Sequence, residues 1–144
     1  MPKNNLKHYG KIMNKLENFA EVSGIKIERG EEPGDGSFHH STNTIILDED
    51  LESTAEIATL LHELGHAYDY KLAIKPLSNR IFSAYDRIYE PDRVPSKRDM
   101  DLVMAAEVRA WCNAELIAKR LKIKLGKWFF SERKACLSDY RRSK

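Results

Sequence analysis

The sequence predicts an α+β fold, with a small, mostly antiparallel sheet packed on a long helix and further helices around it. Three observations carry this reading. Residues 53–71 place apolar side chains at helical period around His62-Glu63-Leu64-Gly65-His66. Residues 25–47 hold short alternating segments separated by Gly, Pro and Asn, the pattern of strands and turns. Residues 97–121 carry a second apolar stripe at helical period. With 144 residues, 42% of them hydrophobic, the chain can bury one real core and has little room for a second, so residues 1–144 are read as a single domain.

The elements follow in order. Residues 6–22 set Tyr9, Ile12, Met13, Leu16, Phe19 and Ala20 on one helical face, and Ser23-Gly24 ends that helix with a residue suited to a left-handed cap. Ile25-Lys26-Ile27-Glu28 alternates as a strand, and residues 30–36 are rich in acids, Gly and Pro and read as a loop. Residues 37–40 and 44–47 are strand candidates joined through the turn-prone Ser41-Thr42-Asn43. Ser53-Thr54-Ala55-Glu56 has the form of a capping box, so a helix is expected over residues 54–71. Pro76 marks a boundary, residues 79–89 read as a short helix, and Pro91 and Pro95 break the chain again. After the helix at 97–121, residues 121–126 fit neither period, and residues 128–140 form a final amphipathic helix.

The first long helix carries the chemistry. Side chains four apart on a helix lie one above the other, so the imidazoles of His62 and His66 can grip one metal ion. Glu63 lies about 100° round the helix from His62, within reach of a water at the metal without crowding the ligands. Ile57, Leu60, Leu61, Leu64 and Tyr68 define the buried face, and His62, His66 and Asp69 fall on the opposite side. The alternative is an ordinary solvated helix face that happens to carry two histidines.

The third ligand decides between these. The other histidines are His8, His39 and His40, all upstream, so no later His can complete the set. A carboxylate is then expected. On the helix at 97–121, Met100, Val103, Met104, Ala110, Trp111, Ala114, Ala118 and Leu121 form one apolar stripe, and Glu107 sits in its middle. An acid pointing into a core is expensive unless it is paired or bound to a metal. Arg109 points well away on the helix wheel, so a metal answers why the acid is there; an ion pair with a more distant Lys or Arg is the competing answer.

His62-Glu63-Leu64-Gly65-His66-Ala67-Tyr68-Asp69, followed by Glu107-Val108-Arg109-Ala110, resembles the zincin superfamily of metallopeptidases. Within it the likeness is to the gluzincins, whose third ligand is a Glu on a following helix. Two branches are similar: the ImmA/IrrE-type metallopeptidases, with H-E-L-G-H, and the mitochondrial processing-peptidase family with H-E-x-x-H-A-Y-D and a later E-x-R-A. The resemblance spans residues 43–118. It implies a zincin-like fold, Zn²⁺ held by His62, His66 and Glu107, and Glu63 as the catalytic base. It also implies that the strand before the metal helix, here Thr44-Ile45-Ile46-Leu47, lies at the sheet edge beside the cleft, where an extended peptide can pair with it.

Asp69 then orients a ligand imidazole or a nearby donor, or else is a solvated acid. Tyr85, Tyr89 and Arg93 are candidates for holding substrate or stabilising an oxyanion, and His39 or His40 for lining the cleft; for each, a plain surface role is the alternative.

Composition narrows the setting. No apolar run approaches the length of a membrane span, and the start, Met1-Pro2-Lys3-Asn4-Asn5, lacks a signal-peptide apolar region. Cys112 and Cys136 stand alone, without metal-type spacing; Cys112 is expected in the core, and a reducing cytoplasm is the expected location. Net charge is +2, but residues 119–144 hold ten basic residues against Glu132 and Asp139. That segment, with Trp128, Phe129 and Phe130 inside it, either covers the core as a solvated helix or docks nucleic acid or another anionic partner.

The sequence is therefore read as a zinc-dependent peptidase acting on a protein or peptide. Two alternatives are a regulatory protein that keeps the zinc without turnover and a nucleic-acid-associated protein using the basic segment.

Overall fold

The computed structural model describes residues 8–32 and 34–142. The readings made for residues 1–5, for Leu6 as the first helical residue and for Lys144 fall outside that set. The described chain forms α1 (Tyr9–Val22), β1 (Lys26–Gly30), β2 (Gly36–His39), β3 (Thr44–Asp48), α2 (Ser53–Leu72), α3 (Lys75–Ile88), α4 (Lys97–Arg120) and α5 (Lys127–Arg142). The class is α+β. Gly24 stops α1 at φ 74°, a left-handed conformation that costs glycine nothing, and the Asn43 side chain donates to its carbonyl at 2.6 Å.

The sheet departs from expectation in two ways. Its order is β1-β3-β2, with β1 parallel to β3 (Lys26 opposite Thr44) and β2 antiparallel to β3 (His39 opposite Thr44), so it is mixed rather than mostly antiparallel. Thr44–Leu47 accordingly lies in the centre, not at the edge. The cause is composition: Ile45 and Leu47 are fully buried, while β1 (KIERG) is polar and β2 is short. The most apolar strand takes the position covered on both edges, and the polar strands take the edges.

Helix α2 is the centre of the molecule. From Glu56 to Ala67 every residue is buried except His66, which is half-buried. The expectation of one buried and one open face is corrected: α4 covers the side from which the histidines project, while α1 and the sheet cover the other sides. Ile57, Leu60, Leu61 and Leu64 join Leu16 of α1, Ile45 of β3, Trp111 of α4 and Phe129 of α5 in one core. Full burial of each such aliphatic side chain contributes roughly 1.5–3 kcal/mol.

The capping box does not form. Glu52 occupies the N-cap position without a side-chain cap, Ser53 is already helical, and Glu56 is turned inward. There it accepts the Tyr9 hydroxyl from α1 and Arg29 Nε at 3.3 Å from β1. Donors from two other elements outcompete a local cap and tie three elements at one buried carboxylate. Burial and that carboxylate push the Tyr9 phenol up to about 12.

Helix α3 starts earlier than the expected residue 79, with Pro76 in its first turn, where a missing N–H is tolerated. Helix α4 is capped by Ser96, whose Oγ accepts Asp99 N–H at 3.1 Å. Cys112 is exposed on α4, not in the core, because the buried stripe through Val103, Glu107, Ala110 and Trp111 faces the other way. No helix among the described residues is long and apolar enough to cross a membrane.

Candidate metal centre

Helical spacing stacks His62 and His66 on α2, and their Nε2 atoms come within 3.2 Å of each other. Glu107, only 2% exposed, projects from α4 between them. Its Oε1 lies 3.2 Å from His62 Nε2 and its Oε2 2.8 Å from His66 Nε2. One donor atom from each of the three residues falls within a 4.8 Å group. Trp111, one turn beyond Glu107, stacks on the His62 ring at 4.2 Å between centroids and 25° between planes. Stacking supports that ring, whose Nδ1 is buried with no hydrogen-bond partner among the described residues, while its Nε2 faces Glu107 and His66.

What brings α2 and α4 close enough is Gly65. A Cβ built there would lie 2.0 Å from the Ala110 carbonyl oxygen, so the two backbones touch. Asn113 donates to the Gly65 carbonyl at 3.2 Å, and Arg109 Nε donates to Asp69 Oδ1 at 2.9 Å. Asp69 thus bonds neither ligand imidazole: it joins the end of the His motif to the helix of Glu107. Arg109 does point away from Glu107, and Asp69 is where it goes.

The donors lie in the wall of a cleft of about 720 Å³. Glu63 lines it, with Oε2 3.9 Å from His62 Nε2. Strand β2 forms one rim from Gly36 to Phe38; α3 supplies Tyr85, Ile88 and its C-cap Tyr89; α5 supplies Glu132, Cys136 and Tyr140. Tyr85 donates its hydroxyl to Glu107 Oε2 at 2.5 Å, and the Cys136 thiol faces Glu107 Oε1 at 3.6 Å. Tyr89 and Tyr140 pair hydroxyl to hydroxyl at 2.8 Å.

Three candidates lie elsewhere. Arg93 pairs with Glu90 at 2.9 Å, His39 bonds Ser37, and His40 stacks on Phe82 at 3.8 Å; none lines the cleft. Sequence reasoning missed Gly65 as a contact, Cys136 and Tyr140. The Gly inside the motif was a visible signal of close helix approach. For Cys136 and Tyr140 no signal existed, because α5 reaches the cleft only through tertiary packing.

The electrostatics favour a cation. No Lys or Arg lines the cleft among the described residues, and Glu107 has only the two histidines as cationic partners, which removes the distant ion pair as its explanation. Burial works to raise the Glu107 carboxyl, yet His66 and His62 hold it well below the ordinary range. Burial works to lower His66, and Glu107 outweighs it, bringing the imidazole up to about 9. Burial and then Glu107 drive the Tyr85 and Tyr140 phenols upward, and likewise the Cys136 thiol to about 12. Across the cleft, burial and Asp35 raise Glu132.

Two imidazoles and a carboxylate are a donor set of the kind that zinc accepts. Tetrahedral zinc binds imidazole nitrogen and carboxylate oxygen at about 2.0–2.2 Å, which sets neighbouring donors roughly 3.3 Å apart. The two imidazole nitrogens stand 3.2 Å apart, near that spacing, and one donor atom from each of the three residues lies within 4.8 Å of the others, so the group could hold a metal ion. In comparison with known proteins, the chain matches no family model, no curated protein and no solved structure.

Proposed function

We propose that this chain is a zinc-dependent metallopeptidase of gluzincin type, with a zincin-like fold, that hydrolyses peptide bonds in a protein or peptide substrate. The observation that carries the reading is the convergence of His62, His66 and Glu107 in a cleft that also holds the Glu63 carboxylate. His62, His66 and Glu107 would hold Zn²⁺, which when bound polarises the scissile carbonyl and acidifies a water. Glu63 would serve as the base that accepts a proton from the attacking water and as the acid that returns it to the leaving amine. Its position beside His62 Nε2 suits that work.

Substrate would lie along β2. That strand pairs with β3 on one side only, and its residues Gly36 to Phe38 line the cleft. A peptide added there would gain backbone hydrogen bonds and run past the donors. This moves the docking role from Thr44–Leu47 to β2. The two free cysteines suit a reducing compartment such as the cytoplasm.

The basic C-terminal segment reads as cover. Phe129 is fully buried, Trp128 packs against the core, and Arg133 lies 5.0 Å over the Phe130 ring.

The test is cleavage of a proteome-derived peptide library by zinc-loaded protein, with new termini read by mass spectrometry. Wild type is expected to generate termini that Glu63→Gln does not, while both bind one zinc per chain. Identical products from both proteins would refute the assignment. Bound zinc with no products from wild type would favour a zinc-stabilised regulatory protein.

A further inference from the structure

We propose that Tyr85 is a positioning residue for the third metal ligand: its hydroxyl holds one oxygen of Glu107, with the Cys136 thiol at the other, so that the carboxylate meets the metal already oriented. This rests on the metal-binding part of the reading above and is independent of peptide hydrolysis.

The carboxylate needs such a constraint. Each of its oxygens faces a different histidine Nε2, at 3.2 and 2.8 Å, so a small rotation about its last torsion changes which oxygen serves which neighbour. That torsion is intrinsically broad. A 2.5 Å bond from Tyr85 to Oε2 is in the range of charge-assisted O–H···O⁻ bonds, the strong kind. The thiol at 3.6 Å from Oε1 is a weaker donor on the opposite side.

A phenol has one proton, and Tyr85 spends it on Glu107. This separates Tyr85 from the oxyanion role open to it on sequence grounds.

The segment between His66 and Glu107 is built to make this delivery. Ile81 and Ala84 of α3 are buried, which seats the helix. Two residues beyond Tyr85, Arg87 forks onto Asp99 at the start of α4, with Nε to Oδ2 at 2.7 Å and Nη2 to Oδ1 at 2.8 Å. A planar fork of this kind fixes direction as well as distance. Helix α3 is therefore pinned to the helix that carries Glu107, about two turns before that residue.

The experiment uses Zn²⁺ and Co²⁺ alone. Tyr85→Phe keeps the ring and removes the hydroxyl. Zinc affinity, measured by competition with a chromophoric chelator, is expected to fall about 10–100-fold, the usual effect of losing a partner behind a ligand. The visible absorption of the Co²⁺-loaded variant is expected to change as well. Unchanged zinc affinity and an unchanged Co²⁺ spectrum in Tyr85→Phe would overturn the inference even if melting temperature fell, because a bond that serves only the fold stabilises metal-free and loaded protein alike.

If Tyr85→Phe does not fold, proton NMR of the wild type decides. A far-downfield hydroxyl proton that persists on zinc loading supports the inference, and its disappearance on loading overturns it. Failure of wild type to bind zinc would overturn the metal reading and this inference with it.

Discussion

Helices α2 and α4 meet backbone to backbone at Gly65 and Ala110, whereas α3 and α5 meet across the cleft through the hydroxyls of Tyr89 and Tyr140. The first contact is buried and apolar, with Trp111, Ala114 and Leu64 packed around it. The second includes Tyr89, which is 66% exposed. The three proposed metal donors stand on the first pair and much of the cleft wall on the second. Close-packed backbones cannot yield by changing a rotamer, but two phenols in contact with water can part at little cost. The rigid pair therefore sets the spacing of the backbones that carry the donors, and the Tyr89–Tyr140 contact can part without moving those backbones.

Breaking the rigid pair has the largest expected effect. Gly65→Ala places a methyl group 2.0 Å from the Ala110 oxygen, and no side-chain motion relieves a clash with backbone. The helices must separate, carrying Glu107 away from both histidines. Overpacking of this kind costs about 3 kcal/mol. Urea denaturation of the metal-free variant is expected to show that loss, and chelator competition to show zinc binding abolished. Wild-type zinc affinity in Gly65→Ala would mean that the site does not depend on this contact.

The two regions also differed in how legible they were. His62, Glu63 and His66 are local, so one helical turn of sequence states their arrangement. The burial of Glu107 was legible for another reason: an acid in the middle of an apolar stripe must find partners, and it finds His62 and His66. The five-helix α+β outline followed from period and punctuation, including the stop at Gly24. The sheet order did not. Alternation marked β1, β2 and β3 as strands but says nothing about which lies in the middle, and only the burial of Ile45 and Leu47 resolves that. Glu56 misled for a related reason, since Ser-x-x-Glu describes a local bond and Tyr9 and Arg29 arrive from far away in sequence. The α3–α5 side was illegible because Tyr140 and Cys136 meet Tyr89 and Glu107 only through packing.

Proton occupancy of the rigid pair has the next largest expected effect. In metal-free protein the His66 imidazole sits at about 9, above its usual 6.5, because Glu107 faces it. A raised pKa in the folded state contributes stability that is fully present below about 6.5. That contribution fades as pH rises and is gone above about 9. The melting temperature of chelator-treated protein is therefore expected to decline from pH 6.5 to 9. With zinc bound the imidazole is neutral and the decline is expected to vanish, while zinc uptake near pH 7 releases protons. A metal-free protein whose stability is flat over this window would show that His66 and Glu107 do not form the charged pair.

A smaller effect is expected where the rigid pair reaches solvent. The Asp69–Arg109 bond joins α2 to α4 at its edge, with the Arg109 side chain 41% exposed. Asp69→Asn is expected to lower stability by about 0.5–1 kcal/mol, as partly exposed ion pairs do. Its effect on zinc affinity is expected to be well below that of Gly65→Ala. A loss as large as that of Gly65→Ala, measured by the same chelator competition, would move the origin of the geometry from backbone contact to this ion pair.

The smallest effect is expected on the other side of the cleft. Tyr140→Phe removes one hydroxyl from the Tyr89–Tyr140 pair. Water replaces it, because Tyr89 is largely exposed, so the loss is about 0.5 kcal/mol, the low end for a hydrogen bond. No metal donor depends on the bond, and zinc affinity is expected to stay at the wild-type value. Hydrogen exchange in α5 beyond Cys136 is expected to quicken while exchange in α2 and α4 stays slow, the pattern of a local opening. If Tyr140→Phe instead weakened zinc binding, the hydroxyl pair would have to transmit strain through Cys136 or Tyr85 to Glu107. The mouth of the cleft and its donors would then form one mechanical unit rather than two.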